Sequence, residues 1–148
     1  MHIATKGSKV DISSEKKLEE FANNLSTEIK KGDIFFLFGE MGVGKTTFVK
    51  YLINNLQHIS KKKLTEVTSP TFNIMNEYNV GSLLIKHYDL YRLKSSNELQ
   101  DLNIFDKNDQ AILLIEWPKI IKKKPNLVTN FYFEYENDYQ NRFIKIFN

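Results

Sequence analysis

The stretch that decides the fold is Ile34-Phe35-Phe36-Leu37-Phe38-Gly39-Glu40-Met41-Gly42-Val43-Gly44-Lys45-Thr46. Its second part has the spacing G-x-x-x-x-G-K-[ST], which is the Walker A pattern of phosphate-binding loops. Glycines let such a loop curve into a concave nest whose backbone N–H groups point at one phosphate. The lysine adds positive charge for the β- and γ-phosphates, and the threonine hydroxyl is a hard oxygen ligand suited to Mg²⁺. The pattern therefore predicts a site for nucleotide phosphates.

The residues on either side of the loop predict the strand–loop–helix setting that this motif requires. The apolar run 34–38 has strand length and is typical of a strand buried on both faces. From Thr47 to Leu56 the apolar side chains recur on one stripe of a helix, and the N-terminus of that helix brings partial positive charge to the phosphates. The residues expected to contact the nucleotide here are Gly39, Glu40, Met41, Gly42, Val43, Gly44, Lys45, Thr46 and Thr47.

Length and composition predict one cytoplasmic globular domain. The chain has 148 residues, of which 41% are apolar and 26% are charged, which suits a single domain with its own core. It has no cysteine, which excludes disulfides, a thiolate nucleophile and a zinc–thiolate site. The segment from Met1 to Val10 lacks the apolar core of a signal peptide. No apolar run reaches membrane-spanning length, so no membrane partner is expected.

The positive charge of the chain comes almost entirely from lysine. The net charge is +3, and Arg92 and Arg142 are the only arginines. Many phosphoryl-transfer enzymes use arginine to stabilise the transferring group, and this chain can supply at most two. The lysine triplets at 61–63 and 122–124 have no interleaved aromatic residue, so they are interpreted as solvated loop charges or as a weak patch for nucleic acid or an acidic partner.

The remaining patterns predict an α/β fold whose central sheet is mixed and mostly parallel, flanked by helices and extended by antiparallel hairpins. Two buried strands at 34–38 and 111–117 enclose the phosphate chemistry. The other predicted elements are a leading strand within 1–12, a helix capped by Ser13 or Ser14 with its apolar stripe from Leu18 to Ile29, a long polar loop from Gln57 to Pro70, a hairpin of strands 71–78 and 83–90, a capped helix at 96–102, and a final strand pair at 127–136 and 142–147.

Two acidic residues are candidates for the carboxylate that a Walker A loop needs. Glu116 follows four apolar residues, which is the Walker B form with glutamate, at the end of a strand where ligands of open α/β sheets bind. Asp89 lies among aromatic residues and needs a partner or a metal there. The alternative interpretations are a glutamate that is simply exposed at a strand end, and an aspartate that pairs with Arg92 or caps a turn. His87 by itself is more typical of a hydrogen-bonded structural histidine.

Four motifs in sequence order make the chain resemble a known family. They are the Walker A loop, Thr68-Ser69-Pro70-Thr71-Phe72, His87-Tyr88-Asp89-Leu90-Tyr91-Arg92-Leu93, and Glu116-Trp117-Pro118. Together they resemble the TsaE (YjeE) family, bacterial ATPases needed to make threonylcarbamoyladenosine at position 37 of tRNAs that read ANN codons. The resemblance extends from the first helix to the last strands, although the C-terminal strands carry no matching motif.

The resemblance implies a P-loop NTPase fold and weak Mg²⁺-dependent hydrolysis of ATP. That hydrolysis would become productive with TsaD and TsaB, the threonylcarbamoyl-transferase pair, so that tRNA is reached indirectly. Lys45 and the loop amides would bind phosphates, Thr46 and Glu116 would hold Mg²⁺, and Asp89 would assist hydrolysis together with Lys45. Three more residues would line the nucleotide site by this resemblance, two of them in a switch-like segment: Ser69, Thr71 and Trp117.

Three other functions compete with this interpretation. A small-molecule kinase of P-loop type would need an acceptor pocket and an arginine-bearing lid, for which the chain offers little material. A GTPase would need an Asn-Lys-x-Asp motif and an Asp-x-x-Gly switch, and the sequence has neither. A nucleotide-dependent interaction module that does not hydrolyse ATP is the third alternative, against which the intact Lys45, Thr46, Asp89 and Glu116 argue.

Overall fold

The structure, a computed structural model, describes residues 8–106 and 108–148. In chain order the elements are β1 (Ser8–Asp11), α1 (Glu15–Ser26), β2 (Ile34–Phe38), α2 (Lys45–Ile59), β3 (Met75–Val80), β4 (Leu83–Asp89), α3 (Ser96–Leu102), β5 (Ile112–Glu116), a 3₁₀ turn (Pro118–Ile120), β6 (Thr129–Glu136) and β7 (Asn141–Phe147). The strands form one seven-stranded sheet in the order β1-β7-β6-β2-β5-β4-β3. The four central strands, β6, β2, β5 and β4, are parallel, and antiparallel pairs extend both edges. The predicted mixed α/β fold is thereby confirmed.

The sheet is covered on both faces, which explains why β2 and the first four residues of β5 are apolar without interruption. Phe35 and Leu37 of β2 belong to the core under α1 and α2, whereas Phe36 belongs to a second core on the opposite face. Because successive strand side chains alternate between faces, a strand between two cores needs an apolar residue at every position. The first core includes Phe21 and Phe48, whose rings lie 5.7 Å apart between the two helices.

The helices begin where the sequence predicts. Ser14 caps α1 and accepts a hydrogen bond from Lys17 N at 3.2 Å, and Ser95 caps α3 by accepting from Glu98 N at 3.3 Å. Each cap satisfies an N–H group that the first turn leaves without a helical partner. α2 begins at Lys45, directly after the glycine-rich loop. The helix therefore points its N-terminus at the concavity that this loop forms.

Two predicted boundaries around the loop after α2 are wrong. α2 runs on to Ile59 rather than ending at Leu56, because Gln57 is buried and exchanges hydrogen bonds with Thr65 at 2.8 and 3.2 Å. β3 begins at Met75 rather than at residue 71. The residues before it form a turn, closed by a 2.6 Å hydrogen bond from Ile74 N to Pro70 O.

The edges of the sheet differ from prediction by only a few residues. The leading strand covers Ser8–Asp11, and the earlier part of its predicted range lies outside the described residues. The predicted strand at 111–117 is observed as β5, and the final pair is observed as β6 and β7. Within the described residues, no helix combines the length and apolar character needed to cross a membrane.

Candidate nucleotide and metal site

The candidate site lies at the carboxyl ends of three adjacent parallel strands. β2 leads into the glycine-rich loop, β4 ends at Asp89 and β5 ends at Glu116. The register pairs Asp89 with Glu116 across β4 and β5, and Leu37 with Glu116 across β2 and β5. Since ligands of open α/β sheets bind at this edge, the topology brings both acids to the loop that follows Leu37.

The glycine-rich loop needs glycine because of a close approach at its first residue. Gly39 has a φ of +147°, and a Cβ there would lie 2.8 Å from Phe133 O and 2.9 Å from Val43 Cγ1. Only glycine accepts that backbone conformation and that contact without strain. Gly44, at φ +121°, lies directly before α2. The conformation of the loop therefore depends on glycine at the junctions with β2 and α2.

Lys45 is a buried cation between two carboxylates. It is 4% exposed, its Nζ donates a hydrogen bond to Gly39 O, and Nζ lies 3.8 Å from the centroid of the Trp117 ring. Burial lowers the pKa of Lys45, and the charges of Glu116 and Asp89 partly offset that effect. A buried ammonium group held by one carbonyl and one aromatic face is poorly solvated, which favours an anionic ligand beside it.

Glu116 is 3% exposed and is held by two donors from neighbouring elements. The Thr46 hydroxyl donates to Glu116 Oε2 at 3.1 Å, and His87 Nε2 lies 2.6 Å from the same oxygen. The hydrogen bond from Thr46 connects the start of α2 to the end of β5. The two residues predicted to hold a metal therefore lie in direct contact.

Asp89, 4% exposed, is fixed by a second set of hydrogen bonds. Thr71 Oγ1 donates to Asp89 Oδ2 at 3.0 Å, and Tyr91 N donates to Oδ1 at 3.0 Å. Ser69 Oγ lies 2.6 Å from Thr71 Oγ1. The chain of hydroxyl groups thus connects the segment 69–71 to the carboxylate. The alternative pairing of Asp89 with Arg92 is not observed, because the Arg92 guanidinium lies 5.1 Å from the Phe72 ring centroid instead. The alternative of a turn cap is observed, since Asp89 accepts the hydrogen bond from Tyr91 N two residues further on.

Most of the predicted residues share one cavity of about 280 Å³. Every predicted site residue lines it except Gly39, Glu40 and Val43. Val43 is buried in the core under the loop, so any contact from it to a ligand would come from the backbone. Glu40 is exposed. Cavities of about 450 Å³ also exist, one of them beside Phe105 and Leu127, but the predicted phosphate and metal residues do not line it.

Two residues of the site were missed from the sequence. Arg142 of β7 lines the cavity and donates to Val43 O at 3.3 Å and to Ser13 O at 3.5 Å, so it connects the loop to the start of α1. The sequence predicts a structural role for His87, which instead contacts Glu116. The signal for His87 was its two-residue spacing from Asp89 on a strand, which places both side chains on one face. For Arg142 the only signal was the scarcity of arginine in the chain.

The residues present fit a nucleotide phosphate with Mg²⁺. The cradle contains glycines, a buried lysine and a helix N-terminus, which together suit a phosphate. Thr46 and Glu116 supply hard oxygens. Among the described residues no group of three or more His, Cys, Asp or Glu side chains is arranged to hold a metal. Mg²⁺ needs no such group, because it takes one or two protein oxygens and completes its shell with phosphates and water.

The fold and the loop together define an α/β protein of the P-loop fold. Comparison with known proteins adds the family: the model described as "Threonylcarbamoyl adenosine biosynthesis protein TsaE" matches residues 12–144. The chain belongs to the TsaE family, and the resemblance drawn from the four motifs is confirmed.

Individual relatives agree with this assignment. A tRNA threonylcarbamoyladenosine biosynthesis protein TsaE of Rickettsia typhi is 38% identical over 111 residues, covering 75% of this chain and 74% of the relative. The protein of the same name in Borreliella burgdorferi is 39% identical over 114 residues, covering 75% and 78%. For the Rickettsia felis protein the match spans 63% of its length. The crystal structure of Bacillus subtilis YdiB superposes with a TM-score of 0.72 at 27% identity, covering 95% of this chain and 84% of that one.

Proposed function

We propose that this protein binds MgATP and hydrolyses it weakly, as an accessory to the threonylcarbamoylation of tRNA adenosine 37. Family membership supports a role in threonylcarbamoyladenosine biosynthesis, because the family and the relatives are named for that pathway. The observation that carries the activity is the contact between Thr46 and Glu116 beside the buried Lys45, at the mouth of a glycine-rich loop. TsaD and TsaB type proteins are the proposed partners, tRNA is reached through them, and the cytoplasm is the expected location.

In this proposal the chain binds the triphosphate mainly by electrostatics. The amides of the loop and of the first turn of α2 donate to phosphate oxygens. Lys45 exchanges its hydrogen bond with Gly39 O for the β- and γ-phosphates, which relieves the cost of burying an ammonium group beside a carbonyl. Trp117 and Arg142 line the same cavity and would lie beside the bound nucleotide.

Thr46 and Glu116 are the proposed residues for Mg²⁺. When bound, the metal neutralises charge that develops on the phosphate oxygens. Glu116 provides an anionic oxygen at the end of β5 and Thr46 a neutral one at the start of α2. Because His87 and Thr46 both contact Oε2, the carboxylate is already oriented before any ligand enters.

Asp89 is the proposed group that positions the attacking water and accepts its proton. Its two carboxylate oxygens are oriented by Thr71 and by the backbone of Tyr91, so that the side chain is held in one rotamer. Ser69 and Thr71 belong to the loop before β3, and that loop is the proposed switch segment. A change in its conformation would reach Asp89 directly through the Thr71 hydroxyl.

The proposed dependence on partners follows from the small number of arginines. A positive group supplied by a second protein is worth roughly 10³–10⁵ in rate in other P-loop enzymes. Arg142 is engaged with two carbonyls and Arg92 lies over Phe72, so neither is preset at the γ-phosphate. The transferase pair would supply such a group, or would order the loop predicted at Gln57–Thr71, which begins after Ile59 in the structure, over the γ-phosphate.

The test measures ATP turnover by the purified protein with and without a TsaD–TsaB pair, together with the yield of modified tRNA over many turnovers. We expect slow turnover alone, stimulation by the pair, and loss of both signals in Lys45→Ala, where a charge-assisted contact worth about 1.5–3 kcal/mol is removed. Fast turnover that the pair does not change, with no effect on tRNA, would favour a small-molecule kinase. Tight ATP binding with no turnover in either condition would favour a non-hydrolysing interaction module.

A further inference from the structure

His87 has an unusual environment for a histidine beside a proposed metal ligand. The ring is fully buried on β4, and its Nε2 lies 2.6 Å from Glu116 Oε2. Its second nitrogen, Nδ1, is buried and has no hydrogen-bond partner among the described residues. The only hydrogen bond recorded for this ring is therefore the one to the carboxylate.

The hydrogen bonding determines which nitrogen carries the hydrogen. A carboxylate only accepts, so Nε2 must be the donor in this contact. A lone pair on Nδ1 tolerates the absence of a partner better than a buried N–H would, since unpaired buried N–H groups are rare in folded proteins. The ring thus fits the tautomer with its hydrogen on Nε2, directed at Glu116.

Of the two donors to Glu116, only His87 has no other function in the proposed site. Thr46 is the other donor, but its oxygen is also a proposed metal ligand. Its hydroxyl would therefore contact both Mg²⁺ and the carboxylate. His87 comes from β4, on the strand next to Glu116, with Leu114 as its partner in the register. Its position is fixed by the sheet rather than by a loop.

We propose that His87 is a positioning residue that orients the Glu116 carboxylate toward Mg²⁺ and thereby sets how strongly the metal and the nucleotide bind together. This inference rests on the proposed MgATP site. It predicts a specific defect: without the Nε2 donor, nucleotide binding in the absence of metal is retained, and the additional affinity that Mg²⁺ contributes is reduced. Loss of a hydrogen bond that orients a metal ligand typically lowers metal affinity about 10- to 100-fold.

Three substitutions separate the hydrogen bond from the bulk of the ring. In His87→Gln the side-chain amide nitrogen reaches the position of Nε2, so the donor is kept. In His87→Asn the amide is one carbon shorter and ends near the position of Nδ1, so polarity is kept but the donor is too far from Glu116. In His87→Leu the volume is kept and the donor is removed.

The experiment measures the dissociation constant of a fluorescent, non-hydrolysable ATP analogue with EDTA and again with saturating Mg²⁺. Trp117, the only tryptophan of the chain, serves as the energy donor. The ratio of the two constants is the Mg²⁺ gain. For His87→Gln we expect an Mg²⁺ gain within threefold of the wild-type value. For His87→Asn and His87→Leu we expect a gain about 10- to 100-fold smaller than that of the wild type. The dissociation constants measured in EDTA should be the same in all four proteins.

An Mg²⁺ gain in His87→Asn equal to that of the wild type would overturn the inference. A gain in His87→Gln as small as that in His87→Leu would also overturn it, because the shape of the ring rather than its Nε2 donor would then determine the effect. If circular dichroism shows that His87→Leu does not fold, the comparison of Gln with Asn decides alone. A wild type that binds the analogue without any Mg²⁺ gain overturns the proposed MgATP site, and the inference with it. The wild-type measurement therefore tests the site, and the variants test His87.

Discussion

The Thr46 hydroxyl donates a 3.1 Å hydrogen bond to Glu116 Oε2, although 70 residues separate the two in the chain. The contact joins the first turn of the helix after the glycine-rich loop to the end of the neighbouring parallel strand. It requires the strand order in which β2 and β5 are adjacent, so the fold itself brings the two proposed metal ligands together. The contact therefore leads to predictions about the affinity for Mg²⁺ rather than about the free energy of unfolding.

Glu116→Gln is expected to raise the Mg²⁺ concentration needed for half-maximal ATP hydrolysis by tenfold or more. The change keeps the size of the side chain and an oxygen that can accept from His87 and Thr46, but it removes the anionic charge that attracts the metal. The measurement is hydrolysis rate against Mg²⁺ concentration at saturating ATP. An unchanged Mg²⁺ requirement with a lower maximal rate would instead assign Glu116 to water positioning.

Asp89→Asn is expected to give the complementary defect: a hydrolysis rate lowered about 10²- to 10⁴-fold at saturating Mg²⁺, with an unchanged Mg²⁺ requirement. The amide keeps the shape of the side chain but is a poor proton acceptor. Loss of a hydrogen bond from Thr71 or Tyr91 to the charged carboxylate costs at most about 1.5–3 kcal/mol of stability. Thr71→Ser keeps the hydroxyl and serves as a matched control for Thr71→Val, which should slow hydrolysis by releasing Asp89. If both Thr71 variants hydrolyse ATP at the wild-type rate, the hydroxyl is not needed to orient the carboxylate.

The parts of the site that follow from local pattern could be predicted, and those that follow from pairing between distant strands could not. The loop after β2 and the acid at the end of β5 each follow a continuous apolar run, because strands covered on both faces require one. His87 and Arg142 carry no such mark. Their places depend on the strand order, which sets β4 beside β5 and β7 near the loop.

The helix end at Ile59 escaped prediction for a similar reason. Most residues from Gln57 to Pro70 are polar, which is typical of a loop, yet Gln57 is buried because Thr65 satisfies its amide. Sequence periodicity does not contain this partner. The same applies to the turn before β3, where Thr71 bonds to Asp89 rather than continuing the strand.

Gly39→Ala is expected to destabilise the protein by about 3 kcal/mol, from a strained φ together with overpacking. A Cβ at this position would lie 2.8 Å from Phe133 O, at a φ of +147°. Gly42→Ala is the matched control, since Gly42 also has a positive φ of +81° but nothing lies within 4 Å of its Cβ position. It should lose only about 1–2 kcal/mol. Urea denaturation of the two variants provides the comparison, and equal losses would contradict the role of the contact.

The ion pair of Lys86 with Asp109, at 2.5 Å, is expected to make stability depend on pH. The hydrogen bond between them lowers the pKa of Asp109 below its ordinary 3.8 and raises the pKa of Lys86 above its ordinary 10.5. The aspartate contribution is therefore present above pH 3.8 and is lost as the pH falls through the lower folded value. The lysine contribution is present below pH 10.5 and is lost as the pH rises through the higher folded value.

Asp109→Asn should accordingly lower stability by at most about 1 kcal/mol at pH 7, and this difference from the wild type should shrink steadily as the pH falls below 3.8. Thermal unfolding of both proteins between pH 2.5 and 7 measures it. Glu136→Gln removes the exposed pair with Lys9, whose side chains are 53% and 45% accessible, and should show a smaller effect. A deficit in Asp109→Asn that stays constant down to pH 2.5 would mean that the ion pair is not its cause.

Arg142→Gln is expected to weaken nucleotide binding about tenfold, whereas Arg92→Gln leaves it unchanged. Arg142 lines the phosphate cavity and holds the loop through Val43 O and the start of α1 through Ser13 O. Its removal takes a positive charge from the site and releases the loop, and a hydrogen bond from a charged group is worth about 1.5–3 kcal/mol. Arg92 is exposed, lies over Phe72 and does not line the cavity, so it controls for the loss of one unit of charge. Titration of each variant with the fluorescent ATP analogue in EDTA isolates this contribution from the metal. An equal loss of affinity in both variants would show that overall charge, and not the position of Arg142, determines the effect.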